Sequence, residues 1–259
     1  MSGLKVSTDE RVTRIVFDRP EALNALSPNT LRELTDVCAD LEKNDAVRVV
    51  VFTGAGSCFS AGADLAAFLP FLAGPEANAT ADLGRRTTNA IARLPQITVA
   101  GIRSHCIGGG LVLAGACDIR LAASNARFMI PELDAGIPLG WGAMEHLHRL
   151  IGETLTADLV LSGRPFGAEE ALRSGLVSRV IPSDRLDAEL ESLVANIASK
   201  PKIVLRITKQ QILAIREGRF DAREDANALL SALEDREALE AGGEYIARRL
   251  RSKDGSGPQ

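Results

Sequence analysis

Three consecutive glycines, Gly108-Gly109-Gly110, separate a β-rich apolar run, Ile97 to Ile102, from the apolar stretch Leu111 to Ala116. Glycine concedes more backbone freedom than any other residue, so a triplet at this place marks a tight hand-over from strand to helix. A second junction of the same kind is Phe59-Ser60-Ala61-Gly62-Ala63-Asp64-Leu65. The first turn of a helix has N–H groups without intrahelical partners, and these carry the positive end of the helix dipole. Such donors suit an anion or an oxyanion, and glycine lets a ligand approach the backbone closely. The plainer alternative, that the glycines only permit tight turns, stays open at this point.

The periodicity around these junctions predicts an α/β fold. Leu4-Lys5-Val6 and Val12 to Phe17 read as a hairpin turning at Thr8-Asp9-Glu10. Ser27-Pro28 signals a helix start, and Leu31, Leu34, Val37, Cys38 and Leu41 then share one stripe. A buried strand is expected over Val47 to Thr53, a helix over Leu83 to Leu94, and short strands at 97–102, 119–121, 128–130 and 176–181. From Asp184 onward strand signals vanish, and 184–199, 202–217 and 223–240 read as successive helices, with a frayed tail over 253–259. The division expected is a core of residues 1–195 and a helical region of residues 196–259.

Composition excludes several function classes. A chain of 259 residues, 46% apolar, can bury a sizeable core, yet its longest apolar runs fall far short of the ~20 residues a membrane span requires. The first ten residues lack a secretory or transit pattern, so a cytoplasmic location is expected. Cys38, Cys58, Cys106 and Cys117 form no Cys-x-x-Cys pair, which predicts free thiols. A formal charge of −4 argues against a nucleic-acid surface. Val47 to Thr53 runs into Gly54-Ala55-Gly56 as a dinucleotide-binding strand does, but Phe59 stands where that fingerprint needs its third glycine. Of the three histidines, His146 and His148 point to different faces of a helix, and His105 with Cys106 is merely adjacent in sequence, so neither a metal site nor a nucleophile is expected.

Asp18-Arg19-Pro20-Glu21-Ala22-Leu23-Asn24-Ala25-Leu26, the Phe59 to Leu65 segment, the glycine triplet with Cys117-Asp118-Ile119-Arg120-Leu121-Ala122, and Phe128-Met129-Ile130-Pro131-Glu132 occur in this order. Together they resemble the crotonase (enoyl-CoA hydratase/isomerase) superfamily over roughly residues 4 to 217. The resemblance implies a spiral of ββα turns, nearly perpendicular sheets, and a C-terminal helical region that packs homotrimers, often paired as hexamers. It implies an acyl-CoA thioester as substrate, coenzyme A being part of that substrate, with no separate cofactor and no metal. It also assigns the thioester oxygen to the N–H groups of Ala63 and Gly109, and the coenzyme A path to Ala61, Ala63, Asp64, Leu65 and Ala66.

Hydratases of that family hold water between two glutamates. By the same resemblance, the position of the first is Val112 here, and only the second survives, as Glu132. Valine neither accepts a proton nor orients a water, so a two-carboxylate hydration is missing its first member. One carboxylate suffices for an isomerase, which moves a proton between two carbons of the acyl chain. The alternatives are a hydratase whose second acid is Asp134, Glu145 or Asp64, and a non-catalytic acyl-CoA-binding homologue. Pro138-Leu139-Gly140-Trp141-Gly142 departs from the family pattern and puts an indole where the acyl pocket is expected, beside Val112.

Overall fold

The computed structural model describes residues 3–72 and 74–254. The chain divides into two compact units, Met1–Ala195 and Asn196–Gln259. The first opens with the hairpin β1 (Leu4–Asp9) and β2 (Val12–Phe17), paired from Leu4 with Phe17 to Asp9 with Val12. The turn is therefore Glu10-Arg11, later than expected, with Glu10 in the left-handed region at φ 42°.

Helix α1 (Pro28–Lys43) starts where the sequence signals it. The Ser27 hydroxyl accepts from the Thr30 N–H at 3.1 Å, Pro28 fills the first turn, and Leu31, Leu34, Cys38 and Leu41 are buried. After α1 the chain repeats one plan: a strand in a large sheet, a short strand or bridge in a small sheet, then helix. The first round is β3 (Val49–Gly54), a bridge at Ser60, and the helices α2 (Leu65–Leu72) and α3 (Ala77–Arg93). The second is β4 (Ile97–Ile102), β5 (His105–Ile107) and α4 (Gly109–Ala116), and the third is β6 (Ile119–Ala123), β7 (Arg127–Met129) and α5 (Ala143–Ser162). Then β8 (Phe166–Gly167), α6 (Ala168–Arg173) and β9 (Arg179–Ile181) close the spiral ahead of α7 (Leu186–Ala198).

The large sheet runs β1-β2-β3-β4-β6-β9, parallel from β2 onward, and the small one runs β5-β7-β8. Every residue of β4 is buried, as befits a parallel strand covered on both faces. Arg120 ties the rounds together: it donates to the carbonyls of Cys117 at 2.5 Å and Leu176 at 2.6 Å. The Leu176 carbonyl is thereby spent on a side chain, and the strand expected over Leu176–Ile181 begins only at Arg179.

In the second unit, α8 (Lys202–Arg216) follows expectation. The single helix expected over 223–240 is instead α9 (Asp225–Leu233) and α10 (Arg236–Asp254). The break falls at Asp235, whose carboxylate accepts from the Ala238 N–H at 2.9 Å and so starts a new helix. No helix among the described residues is long and apolar enough to cross a membrane.

Candidate active site

The Asp18 to Leu26 segment builds the first half of the site without entering it. Asn24, left-handed at φ 55° and buried, accepts from the Arg19 N–H and donates from Nδ2 to the carbonyls of Ala55 and Cys58, each at 2.9 Å. The Ser60 hydroxyl donates to the Asn24 carbonyl at 2.8 Å and accepts from the Gly62 N–H at 3.1 Å. The Leu26 N–H donates to the Gly62 carbonyl, and the Asp64 N–H to the Leu26 carbonyl. These bonds fix the backbone on both sides of Ala63.

The second half is the N-terminus of α4. The Ser60 N–H donates to the His105 carbonyl and the Ile107 N–H to the Ser60 carbonyl, which clamps the Gly62 loop onto β5. Gly62 has φ +95°, and a Cβ built on it would lie 2.9 Å from the Ile107 carbonyl oxygen and 3.4 Å from the Gly109 nitrogen. Both positive φ and this close approach require glycine. The N–H groups of Ala63 and Gly109 thus come from neighbouring backbone turns, and neither donates to any partner among the described residues.

A cavity of about 530 Å³ opens at these two amides, and Ala63, Leu65, Gly109, Val112, Glu132 and Trp141 all line it. Of the expected site residues, Ala61, Asp64 and Ala66 are absent from its wall. Asp64 is occupied as the start of α2: its carboxylate accepts from the Ala67 N–H at 3.1 Å and from Arg19 at 3.0 Å. The Ala61 N–H donates to the Leu23 carbonyl.

Glu132 is the only titratable side chain among the described residues of this wall. Its carboxylate packs onto Gly108, where a Cβ would lie 2.6 Å from Oε1, and the buried Oε2 has no hydrogen-bond partner among the described residues. Burial raises the Glu132 carboxyl above the usual glutamate range, partly offset by its own main-chain N–H. The candidates for a second acid lie elsewhere. Asp134 faces Gly163, with Oδ2 2.9 Å from where its Cβ would be; Asp64 is engaged as above; Glu145 sits in the first turn of α5, off the cavity wall. Val112 is 3% exposed at the position that would need a carboxylate for the two-acid mechanism. Cys106 is buried and its thiol is pushed well up, while its neighbour His105 is exposed on the other face of β5, so the two form no nucleophile and base.

The family model for enoyl-CoA hydratase/isomerase matches residues 7–242. The chain belongs to this family, within the crotonase superfamily. It is 35% identical to a crotonyl-CoA hydratase of Syntrophomonas wolfei over 202 residues, 78% of this chain and 77% of that one. It is 34% identical to the human mitochondrial Delta(3,5)-Delta(2,4)-dienoyl-CoA isomerase over 224 residues, 82% of this chain and 68% of that one. Among solved structures it resembles a putative enoyl-CoA hydratase from Thermobifida fusca in complex with acetoacetyl-CoA, with a TM-score of 0.83 and 30% identity, covering 90% of this chain and 95% of that one.

This hydratase/isomerase family member has a tryptophan in an unusual setting. Trp141 is left-handed at φ 58°, a conformation that costs a residue with a Cβ roughly 1–2 kcal/mol. The Gly140-Trp141-Gly142 turn directs the indole between two helices. A Cβ on Gly84 of α3 would lie 2.1 Å from indole Cδ2, and one on Gly109 of α4 would lie 2.3 Å from Cζ3. Phe68 of α2 flanks the ring at 6.2 Å between centroids. Sequence reasoning placed Trp141 at the pocket but missed Gly84, because a lone glycine in a helical stretch shows no partner until the fold supplies one. It likewise read the Asn24 segment only as a likeness, whereas its hydrogen bonds set the Ala63 amide.

Proposed function

We propose that this family member is a single-carboxylate enoyl-CoA isomerase. The observation that carries the reading is Glu132, the one titratable side chain among the described residues of an otherwise apolar cavity, beside two N–H groups that donate to no partner among those residues. With the thioester oxygen on the Ala63 and Gly109 amides, the Glu132 carboxylate takes a proton from C2 of a 3-enoyl thioester. The electron pair moves into a dienolate whose negative charge rests on the thioester oxygen. Glu132 returns the proton at C4, and the double bond then lies between C2 and C3. Preorganised donors favour this step because charge develops where they point, and losing one of them typically costs ~2.7–4 kcal/mol of transition-state stabilisation.

The raised affinity of Glu132 for protons suits a group that must both accept and return one. The crotonyl-CoA hydratase and dienoyl-CoA isomerase relatives and the acetoacetyl-CoA complex support an acyl-CoA ligand. The coenzyme A arm then leaves past the 61–66 segment, and the working form is a homotrimer, single or paired. An absorbance assay on paired 2-enoyl-CoA and 3-enoyl-CoA substrates tests the reading. The expected result is growth of the 2-enoyl thioester signal from the 3-enoyl substrate. Loss of that signal from a 2-enoyl substrate would mean hydration, and binding without either change would mean a carrier.

A further inference from the structure

The indole of Trp141 fills a slot that the backbone has been left bare to receive. Gly84 and Gly109 lie on different helices, and a single methyl group on either would overlap the ring. The ring is not part of the sealed interior, since it borders the same cavity as Glu132 and the Gly109 amide. It is held there by a left-handed turn at Trp141 itself and by the buried ring of Phe68. Local strain retained at the edge of a ligand cavity points to a use for the side chain it presents.

The consequence for a bound acyl chain is geometric. A thioester oxygen at the Gly109 amide puts the first carbons of the acyl chain between the Glu132 carboxylate, which lies on Gly108, and the indole edge, which lies on Gly109. Removing the indole would leave a trench floored by two glycines, leading from the oxyanion donor along the surface of α3. With the indole present, that direction is closed, and apart from Glu132 the remaining wall is apolar, with Leu65, Phe68, Leu69, Val112, Ile137 and Leu139 as its larger side chains.

We infer that Trp141 is the chain-length stop of the acyl pocket, so that the protein selects compact, short acyl thioesters over long straight ones. The inference rests on the acyl-CoA reading above and deepens it by naming the substrate class.

The test uses saturated thioesters, which bind without reacting. Calorimetric titration of the intact protein with butanoyl-CoA, hexanoyl-CoA and decanoyl-CoA should give affinities that fall with length. Trp141→Ala should raise the decanoyl-to-butanoyl affinity ratio at least ~10-fold, the size of effect that pocket space for extra methylenes produces. Trp141→Phe, which keeps a smaller ring in the slot and guards against a collapsed turn, should give an intermediate ratio. Trp141 is the protein's only tryptophan, so its emission should also respond when butanoyl-CoA binds the wild type. Equal ratios in all three proteins, or a wild type that prefers decanoyl-CoA, would overturn the inference. Turnover of 3-enoyl-CoA is scored separately: chain-length selection without isomerisation would sink the isomerase reading and leave the stop standing, whereas no binding at any length would remove both.

Discussion

At the scale of single residues, Glu132 couples chemistry to stability in opposite directions. Replacing it with Gln keeps the shape but loses the base, and kcat/KM for isomerisation should fall by ~10²- to 10⁴-fold, measured against a binding assay that changes little. Because burial holds the Glu132 carboxyl above the usual range, the acid limb of the wild-type kcat/KM profile should sit higher than for an exposed glutamate and vanish in the variant. The stability sign follows from linkage. The folded state holds this proton more tightly than the unfolded chain, so stability falls as pH rises from the unfolded value through the raised folded one. Glu132→Gln should therefore melt higher than wild type at neutral pH, with the gap closing in acid; a lower Tm at neutral pH would contradict the burial argument. Gly84 makes a second residue-scale case. Gly→Ala in a helix gains about 1 kcal/mol from propensity, but here the added methyl meets the indole, and overpacking costs about 1–3 kcal/mol. Gly84→Ala should be destabilising in the wild type and stabilising in a Trp141→Ala background, as a denaturation double-mutant cycle would show.

Among elements, α2 depends on a single side chain at its start, because Asp64 both caps it and pairs with Arg19. Asp64→Ala should cost about 0.5–2 kcal/mol through the lost cap, whereas Asp64→Asn keeps capping ability and should cost less. Thermal melts separate the two, and equal losses would mean the ion pair matters more than the cap. That element also shows what the sequence could and could not disclose. The strand 97–102 and the start of α1 were legible because a buried parallel strand is apolar throughout and because Ser27-Pro28 is a local start signal. Helix α2 was not, since its residues Leu65 to Leu72 include Pro70 and have no polar face to betray a period. Helix α5 was recognised only around its histidines, and Gly152 at φ 77° interrupts it. At the site, Ala63, Gly109 and Glu132 were reached through the family likeness of their motifs, and all three line one cavity. The Gly84 contact with Trp141 joins α3 to the turn before α5, and no local pattern encodes a pairing that distant.

For the whole molecule, the helices of the second unit present apolar residues that the single chain leaves half exposed. On α9, Leu229 and Leu233 are four apart, and on α10, Leu239, Ile246 and Leu250 follow at intervals of seven and four, so each set shares one helical face. Their exposures run from 52% for Leu239 to 61% for Leu229. Full burial of a large aliphatic side chain is worth about 1.5–3 kcal/mol, and these half-covered residues would gain a part of that each, so the two stripes are the apolar surface that self-association would cover. The protein should therefore sediment and scatter light as a homotrimer or a pair of trimers, with a Tm that rises with protein concentration, as mass action requires of a folded state linked to assembly. Ile246→Asp places an unpaired charge on the α10 stripe and should shift the distribution toward monomer. Because Ile246 belongs to the second unit, outside the residues that line the Glu132 cavity, the variant also asks whether assembly is needed for turnover. A wild type that stays a monodisperse monomer at micromolar concentration would show that the two stripes serve something other than self-association.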